Sequence, residues 1–266
     1  MSLLRIRFIL KRGNGSEAIT QNNAGGVQVM NMPLIIAHTG CEGTPDNTLE
    51  SAIVGRRAGA EVLEVDVRAT KDGVCVLYHD DNPWISELTY AELQERNPFM
   101  LPAGQELERL ETVLLAFKGQ PVLFNLDIKT DAAALPVIEL LNTLKMWEQI
   151  YFTGETKTIT NLPYRDRVVW NTPEALKEMN GAVYEAAVRD LCSMAKQKGF
   201  AGINVDYSSC REALVQCAHE HGLLVWVYTL PESGMFPAYA EMKLDAVSTL
   251  DVGATAALRE RMRAAL

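Results

Sequence analysis

The chain has 266 residues and a net charge of −9, from 25 lysines and arginines against 34 aspartates and glutamates. Apolar residues make up 48% and charged residues 22%, a globular composition that excludes a disordered chain. The acidic total argues against a nucleic-acid-binding protein, because clustered lysine and arginine bind phosphate backbones. No run approaches ~18 apolar residues, so the sequence predicts no insertion into a membrane.

Five cysteines are scattered along the chain without the spacing of a Cys-x-x-Cys pair or a zinc site. They predict reduced thiols and a cytoplasmic location. Residues 1–32 are predicted to be an N-terminal extension, in which Arg5–Leu10 and Val27–Met30 could pair as a hairpin across a loop rich in glycine and asparagine. Its first three residues resemble a cloning remnant. No linker interrupts residues 33–266, which are predicted to form one domain.

Short apolar runs alternate with stretches of helical periodicity through the rest of the chain. Eight such runs are predicted strands: Leu34–Ala37, Val62–Asp66, Val122–Asp127, Ile150–Thr153, Arg167–Trp170, Ala201–Val205, Leu223–Thr229 and Ala246–Thr249. Three of the stretches between them are predicted helices: Thr48–Ala60, Ala133–Leu144 and Tyr184–Lys198. Near-continuous apolar runs are typical of strands buried on both faces. The pattern predicts an α/β fold, a (β/α)₈ TIM barrel, with a doubly wound open sheet as the alternative.

One additional apolar run follows the second predicted strand after only four residues. A parallel crossover needs about a dozen residues or more, so Val62–Arg68 and Val74–His79 are predicted to form an antiparallel hairpin after the second strand. A turn centred between residues 71 and 72 would place His79 opposite Glu64. Glu64 and Asp66 share one face of their strand because they are two residues apart.

Ionisable side chains end several of the predicted strands. His38 ends the first strand, and Asp127 and Lys129 end the third. The carboxyl ends of the strands are where the active sites of barrels lie. Three carboxylates without cysteine suit Mg²⁺ or Ca²⁺. Two histidines can serve as general acid and base, and a lysine can neutralise a phosphate. The residues therefore indicate metal-assisted hydrolysis of a phosphoester.

Each of these residues also has a structural interpretation. Glu64 and Asp66 could be buried ion-pairing groups, and His38 could cap a turn. Asp127 and Lys129 could form a salt bridge on one face of their strand. The Asp46-Asn47-Thr48 segment could be only the N-terminal cap of the following helix. Trp226 and Tyr228 could be packing residues.

Several motifs occur in one order and spacing over residues 35–80. They are Ile36-Ala37-His38-Thr39-Gly40, Pro45-Asp46-Asn47-Thr48-Leu49, Leu63-Glu64-Val65-Asp66-Val67, Thr70-Lys71-Asp72-Gly73 and His79-Asp80. Together they resemble the glycerophosphodiester phosphodiesterase family, whose pattern runs HRG, PENT, E-x-DV, TKDG and HD. Weaker similarity follows at Leu126-Asp127-Ile128-Lys129 and in the last two predicted strands.

The resemblance implies a TIM barrel with a hairpin after its second strand. It implies hydrolysis of glycerophosphodiesters, which are small-molecule substrates, to glycerol 3-phosphate and an alcohol with a divalent cation, Mg²⁺ or Ca²⁺. It places general acid and base catalysis on His38 and His79. It implies the metal ligands Glu64, Asp66 and Asp127. It implies the substrate-binding residues Lys129, Thr39, Asp46 and Tyr228.

The sequence departs from the family pattern around the expected phosphate site. Thr39 replaces an arginine, and its hydroxyl lacks the bidentate grip of a guanidinium. Asp46 replaces a glutamate, and the usual Arg-Thr-Thr after His-Asp is missing. Two alternatives to hydrolysis therefore stay open. One is a phospholipase D-like lyase that forms a cyclic phosphate, and the other is a catalytically silent barrel that binds phosphodiesters. The sequence predicts no oligomeric state.

Overall fold

The computed structural model describes residues 32–101 and 106–265. Its strands are β1 Leu34–Ala37, β2 Val62–Ala69, β3 Cys75–Leu77, β4 Leu123–Ile128, β5 Ile150–Gly154, β6 Val169–Asn171, β7 Gly202–Asp206, β8 Leu224–Leu230 and β9 Ala246–Thr249. Its helices are α1 Leu49–Ala58, α2 Pro83–Glu87, α3 Tyr90–Arg96, α4 Leu110–Ala116, α5 Ala134–Leu144, α6 Lys157–Thr160, α7 Gly181–Lys198, α8 Glu212–Glu220, α9 Phe236–Glu241 and α10 Val252–Ala264. The hairpin predicted before Met32 lies outside the described residues.

The eight parallel strands form one nearly closed barrel. Their order is β5-β4-β2-β1-β9-β8-β7-β6, so β1 pairs with both β2 and β9. The two ends of this order meet where Phe152 of β5 forms a parallel bridge with Val168, directly before β6. This closure confirms the predicted TIM barrel over the doubly wound open sheet.

The inward faces of the strands change from apolar to polar along their length. An apolar layer fills the amino-terminal part of the barrel: Leu34, Ile36, Val62, Leu123, Val169, Leu224, Trp226 and Ala246. Because side chains alternate with a period of two, the next inward positions on β2 and β4 are Glu64, Asp66, Asn125 and Asp127. The barrel therefore has an apolar floor and a polar rim at the carboxyl ends of the strands.

Strand β3 forms the predicted hairpin with β2, but the predicted register is wrong by one residue. Arg68 pairs with Val76, and the turn is centred on Asp72. Thr70 and Val74 close a three-residue loop in which Gly73 has φ +80°, as is common in hairpins with such loops. This register aligns His79 with Val65, and not with Glu64 as predicted.

Helix α1 begins where the sequence suggested a cap. The Thr48 Oγ1 accepts a hydrogen bond from the backbone N–H of Ser51, so Thr48 is the N-cap.

The five cysteines are free thiols. Among the described residues, no helix is both long and apolar enough to cross a membrane. A cytoplasmic location stays a prediction.

Candidate active site

A cavity of about 80 Å³ opens at the polar rim of the barrel. Its lining comes from all eight barrel strands and from His38, directly after β1: Ile36, His38, Glu64, Asn125, Asp127, Thr153, Asn171, Asn204, Tyr228, Thr229 and Ser248. Distant segments of the chain thus contribute to one small, mostly polar space, the position at which barrel enzymes carry their active sites.

Three carboxylates form a cluster at this rim. Glu64, Asp66 and Asp127 each offer an oxygen atom, and these oxygens lie within 4.8 Å of one another. Glu64 is 8% exposed and Asp66 is 2% exposed. Burial, and then the charges of Asp66 and Asp127, hold the pKa of Glu64 well above its ordinary value. A bound cation would relieve this repulsion, so the donor set fits a hard divalent ion such as Mg²⁺ or Ca²⁺.

Lys129 supplies the positive charge of the cluster. Its Nζ lies 2.9 Å from Asp66 Oδ1 and 2.6 Å from Asp127 Oδ2. Burial lowers the pKa of Lys129, but Asp127 and Asp66 raise it by more, so the side chain stays protonated. The salt bridge between Asp127 and Lys129 that the strand spacing suggested is therefore present, and it lies within the site.

Two loop residues after β1 hold the carboxylates in place. The backbone N–H of Thr39 donates to Glu64 Oε2 at 2.9 Å. Asn47 Nδ2 donates to Asp66 Oδ2 at 2.8 Å, and Asn47 Oδ1 accepts from the backbone N–H of Asp66 at 2.9 Å. The Thr39 hydroxyl in turn accepts a hydrogen bond from the backbone N–H of Asn47. Hydrogen bonds thus join the loop after β1 to the carboxylate cluster.

His38 lies at the rim with a defined ring tautomer. Its Nδ1 is 2.8 Å from the carbonyl oxygen of Thr39. A carbonyl oxygen only accepts, so Nδ1 carries the hydrogen and the neutral ring keeps its lone pair on Nε2. Glu64 Oε2 lies 3.9 Å from the same Nδ1. This arrangement suits a general base next to a cation site.

His79 lies beside the cluster along the backbone, but its ring is exposed. The backbone N–H of Tyr78 donates to the carbonyl of Asp66 at 3.1 Å. The His79 side chain is 64% exposed, and its Nδ1 lies 2.9 Å from Asp80 Oδ1. The ring does not line the rim cavity.

The segment that carries His79 is fixed by Arg68, a buried residue of β2. The Arg68 guanidinium donates to the carbonyl oxygen of His79 at 3.0 Å and to Asp81 Oδ1 at 3.2 Å. Arg68 therefore ties the backbone after β3 to the strand that carries two of the three carboxylates.

The structure gives the predicted substrate-binding residues different surroundings. Thr39 is buried, and its hydroxyl is bonded within the loop. Asp46 is exposed and covers Gly40, where a Cβ atom would lie 1.9 Å from Asp46 Oδ1. Tyr228 lines the rim cavity, and burial, followed by the charges of Asp206 and Asp127, raises the pKa of its hydroxyl. Their contact with substrate stays a prediction. Trp226 is a fully buried packing residue, as the structural interpretation expected.

Sequence analysis missed several polar residues of the rim. Thr153 Oγ1 lies 3.0 Å from Asn125 Oδ1 and 3.1 Å from Asp127 Oδ1. Asn204 Nδ2 donates to Asn171 Oδ1 at 2.9 Å across β7 and β6. The signal that could have found Thr153 and Asn171 is a polar residue two positions after an inward apolar one, here Tyr151 and Val169.

Comparison with known proteins agrees with this geometry. Residues 38–254 match the Glycerophosphoryl diester phosphodiesterase family. The glycerophosphodiester phosphodiesterase of Caldanaerobacter subterraneus subsp. tengcongensis is 22% identical over 231 residues, covering 82% of this chain and 94% of that protein.

Solved structures share the fold. A glycerophosphodiester phosphodiesterase of Thermotoga maritima superimposes with a TM-score of 0.69 at 20% identity, covering 86% of this chain and 99% of that chain. A phosphodiesterase of Oleispira antarctica, solved in complex with the product sn-glycerol 3-phosphate, gives a TM-score of 0.66 at 17% identity, with coverage of 86% and 97%.

The barrel, its acidic rim and the family match define the class of protein, which is a phosphoric diester hydrolase on a TIM barrel. The chain belongs to the glycerophosphoryl diester phosphodiesterase family.

Proposed function

We propose that the protein hydrolyses glycerophosphodiesters to glycerol 3-phosphate and an alcohol, with Mg²⁺ or Ca²⁺ held by Glu64, Asp66 and Asp127. The observation that carries this proposal is the triangle of carboxylate oxygens within 4.8 Å at the barrel rim, from buried Glu64 and Asp66 and half-buried Asp127. Residues 33–266 are proposed to form the catalytic domain, and residues 1–32 an extension of it.

A cation at the three carboxylates would supply charge that stabilises the negative phosphate as it reacts. Lys129 would add a second positive charge next to the phosphate. Thr39 and Asn47 would keep Glu64 and Asp66 oriented through the hydrogen bonds they already make.

We assign acid and base roles to the two histidines. His38 has its Nδ1 hydrogen bonded to Thr39, so its Nε2 is available to accept the proton of the attacking water, whose oxygen forms the new bond to phosphorus as the bond to the alcohol oxygen breaks. His79 would donate a proton to the oxygen of the leaving alcohol. Its exposed ring would turn toward the site, while Arg68 holds its backbone in place.

The experiment that tests the histidine assignments compares His38→Ala and His79→Ala with His219→Ala. His219 is a matched control because it pairs with Asp245 at 3.0 Å and does not line the rim cavity. We expect about 10²-fold or larger losses of kcat on glycerophosphoethanolamine for the first two variants, and no loss for the third. Full activity of His38→Ala would refute the assignment of the base.

Analysis of the product by phosphorus NMR tests the reaction type. We expect glycerol 3-phosphate as the final product. A cyclic glycerol phosphate that accumulates without opening would instead support the lyase alternative.

A further inference from the structure

A groove of about 710 Å³ begins at the carboxylate cluster and continues outside the barrel. Asp127 and Lys129 line the end of the groove at the carboxylate cluster. Trp170, Phe200 and Lys198 line the rest of it. Asp127 and Asn171 also line the rim cavity, so the two spaces adjoin at the candidate metal site.

The connection between β5 and β6 contains little helix, and this leaves room for the groove. Its α-helix, α6, has only four residues, so it does not cover the outer faces of these strands. At the end of β5, Gly154 turns the chain away with φ +77°. A Cβ atom there would lie 2.4 Å from Asp127 Oδ1, so glycine keeps the junction of groove and cluster open.

The charges of the groove suit an anion. Lys157 and Lys198 are exposed lysines in its lining, and neither forms an ion pair within residues 32–101 and 106–265. Lys129 is already paired with Asp66 and Asp127. Glu155 is the other carboxylate of the lining and is exposed. The part of the groove away from the cluster therefore has a net positive charge.

The apolar part of the lining suits the carbon skeleton of a bound alcohol. Trp170 is half-buried and packs on Phe200, with ring centroids 6.4 Å apart and planes inclined by 29°. Met194 adds a flexible apolar side chain to the same lining. The groove thus combines an aromatic wall with two exposed lysines that have no ion-pair partner among the described residues, so it offers contacts to both a carbon skeleton and an anionic group.

We infer that this groove binds the alcohol half of the diester, and that it favours alcohols that carry a second anionic group. The inference rests on the proposed function, which puts the phosphate at the carboxylate cluster. From there the three-carbon glycerol half would enter the small rim cavity, and the alcohol half, which differs between diesters, would enter the larger groove. Lys157 and Lys198 would then contact the anionic group of the alcohol.

Two diesters that differ by one carboxylate test the inference. Glycerophosphoserine and glycerophosphoethanolamine have the same ammonium group, and only the first has the carboxylate. We expect kcat/KM to be about tenfold higher for glycerophosphoserine, from about threefold for each exposed lysine. Lys157→Met and Lys198→Met should each reduce this preference about threefold, and the double variant should abolish it.

Lys196→Met is the matched control, because Lys196 is exposed on the same helix as Lys198 but does not line the groove. Lys196→Met should hydrolyse both diesters at the unmodified rates, whereas Lys157→Met and Lys198→Met should lose kcat/KM on glycerophosphoserine and no comparable fraction of it on glycerophosphoethanolamine. Equal kcat/KM values for the two diesters in the unmodified protein would overturn the inference and leave the proposed function standing. Hydrolysis of neither diester would overturn both.

Discussion

Asn47 shows how one side chain can organise a cluster of like charges. Both polar ends of its amide are used on Asp66, one on the carboxylate and one on the backbone N–H. An aspartate held at both its carboxylate and its backbone keeps its orientation whether or not a cation is bound. Asn47 is therefore a positioning residue, and it acts through Asp66.

Replacing Asn47 tests this role. We expect Asn47→Ala to weaken the affinity for the activating cation about 10-fold to 100-fold, the usual effect of losing a partner of a metal ligand. Titration of activity with Mg²⁺ measures this affinity, and excess Mg²⁺ should restore most of kcat. Asn142→Ala, on the exposed face of α5, is the control. An unchanged Mg²⁺ titration in Asn47→Ala would show that Asp66 does not need this support.

Gly154 and Gly119 allow the effect of backbone strain to be distinguished from the effect of crowding at the carboxylate cluster. Gly154 and Gly119 have nearly the same positive φ, +77° and +76°. A Cβ atom at Gly119 meets nothing within 4 Å, whereas one at Gly154 would lie 2.4 Å from both Asp127 Oδ1 and the carbonyl of Ile128.

We therefore expect both alanine variants to lose about 1–2 kcal/mol of stability from the left-handed backbone. Only Gly154→Ala should also lose activity and cation affinity, because it displaces Asp127. Thermal unfolding and Mg²⁺-dependent activity of the pair measure the two effects. Equal activity of the two variants would contradict the crowding argument.

Glu64 is the carboxylate whose ionisation the fold disfavours. Its pKa is raised by burial and by the neighbouring Asp66 and Asp127. A carboxyl group whose pKa is higher in the folded than in the unfolded state contributes stability that is fully present at a pH below the unfolded-state pKa. That stability is lost as the pH rises through the folded-state pKa.

Glu64→Gln should therefore raise the melting temperature of the protein in EDTA, and by more at pH 8 than at pH 5. The amide can still accept the hydrogen bond from Thr39, so the loop stays in place. The same variant should lose the stabilisation that added Mg²⁺ gives the unmodified protein. Calorimetry at both pH values, with and without Mg²⁺, tests this. A lower melting temperature in EDTA at pH 8 would contradict the account.

At the scale of elements, the barrel separates stability from chemistry. The inward face of β2 reads Val62, Glu64, Asp66, so one strand supplies both the floor and the cluster. The opposite end of the barrel is fastened by a buried ion pair, in which Arg259 of α10 lies 2.8 Å from Glu61 Oε2. The same oxygen accepts from the backbone N–H of Ile35 in β1.

Removing the positive partner would leave the buried charge of Glu61 with the Ile35 hydrogen bond but without the Arg259 cation. We expect Arg259→Met to lower the free energy of unfolding by about 3–5 kcal/mol and to leave kcat unchanged at a temperature where the protein is folded. Arg263→Met is the control. Arg263 pairs with the exposed Glu260, so its loss should cost under about 1 kcal/mol. Urea unfolding compares them, and equal costs would refute the special role of the buried pair.

The elements were predicted best where burial dictates the sequence. Strands β1 and β9 begin and end where their apolar runs do, because both faces of a barrel strand are covered. The hairpin was predicted in kind but not in register. The same sequence signal is compatible with two turns. One is the observed three-residue loop with Gly73 at positive φ, and the other is the predicted turn, centred half a residue earlier. The two turns differ in register by one residue, so they place His79 opposite Val65 and opposite Glu64, respectively.

The candidate site could be predicted only in part, for a related reason. The three carboxylates and Lys129 stand two positions apart on predicted strands, so local periodicity is enough to bring them to one rim. Asn47 reaches Asp66 from a loop 19 residues away, and no local pattern encodes that contact. The groove beside β6 depends on the shortness of α6, in the middle of the chain where the motifs are absent.

At the scale of the whole molecule, the barrel brings acidic residues from separate strands together at one rim. We propose that a divalent cation, which the reaction needs, relieves the mutual repulsion of these carboxylates from β2 and β4. The net negative charge of the chain would be no obstacle to an anionic substrate, because Lys129 and the proposed cation would set the local field at the site.

The measurement that tests this claim most directly is the release of glycerol 3-phosphate from glycerophosphoethanolamine in EDTA, and then after Mg²⁺ or Ca²⁺ is restored. We predict no release in EDTA, full recovery with at least one of the two cations, and no recovery in the Asp127→Asn variant. Release that continues unchanged in EDTA, or that survives in Asp127→Asn, would contradict the assignment of the carboxylate cluster as the metal site of a diesterase.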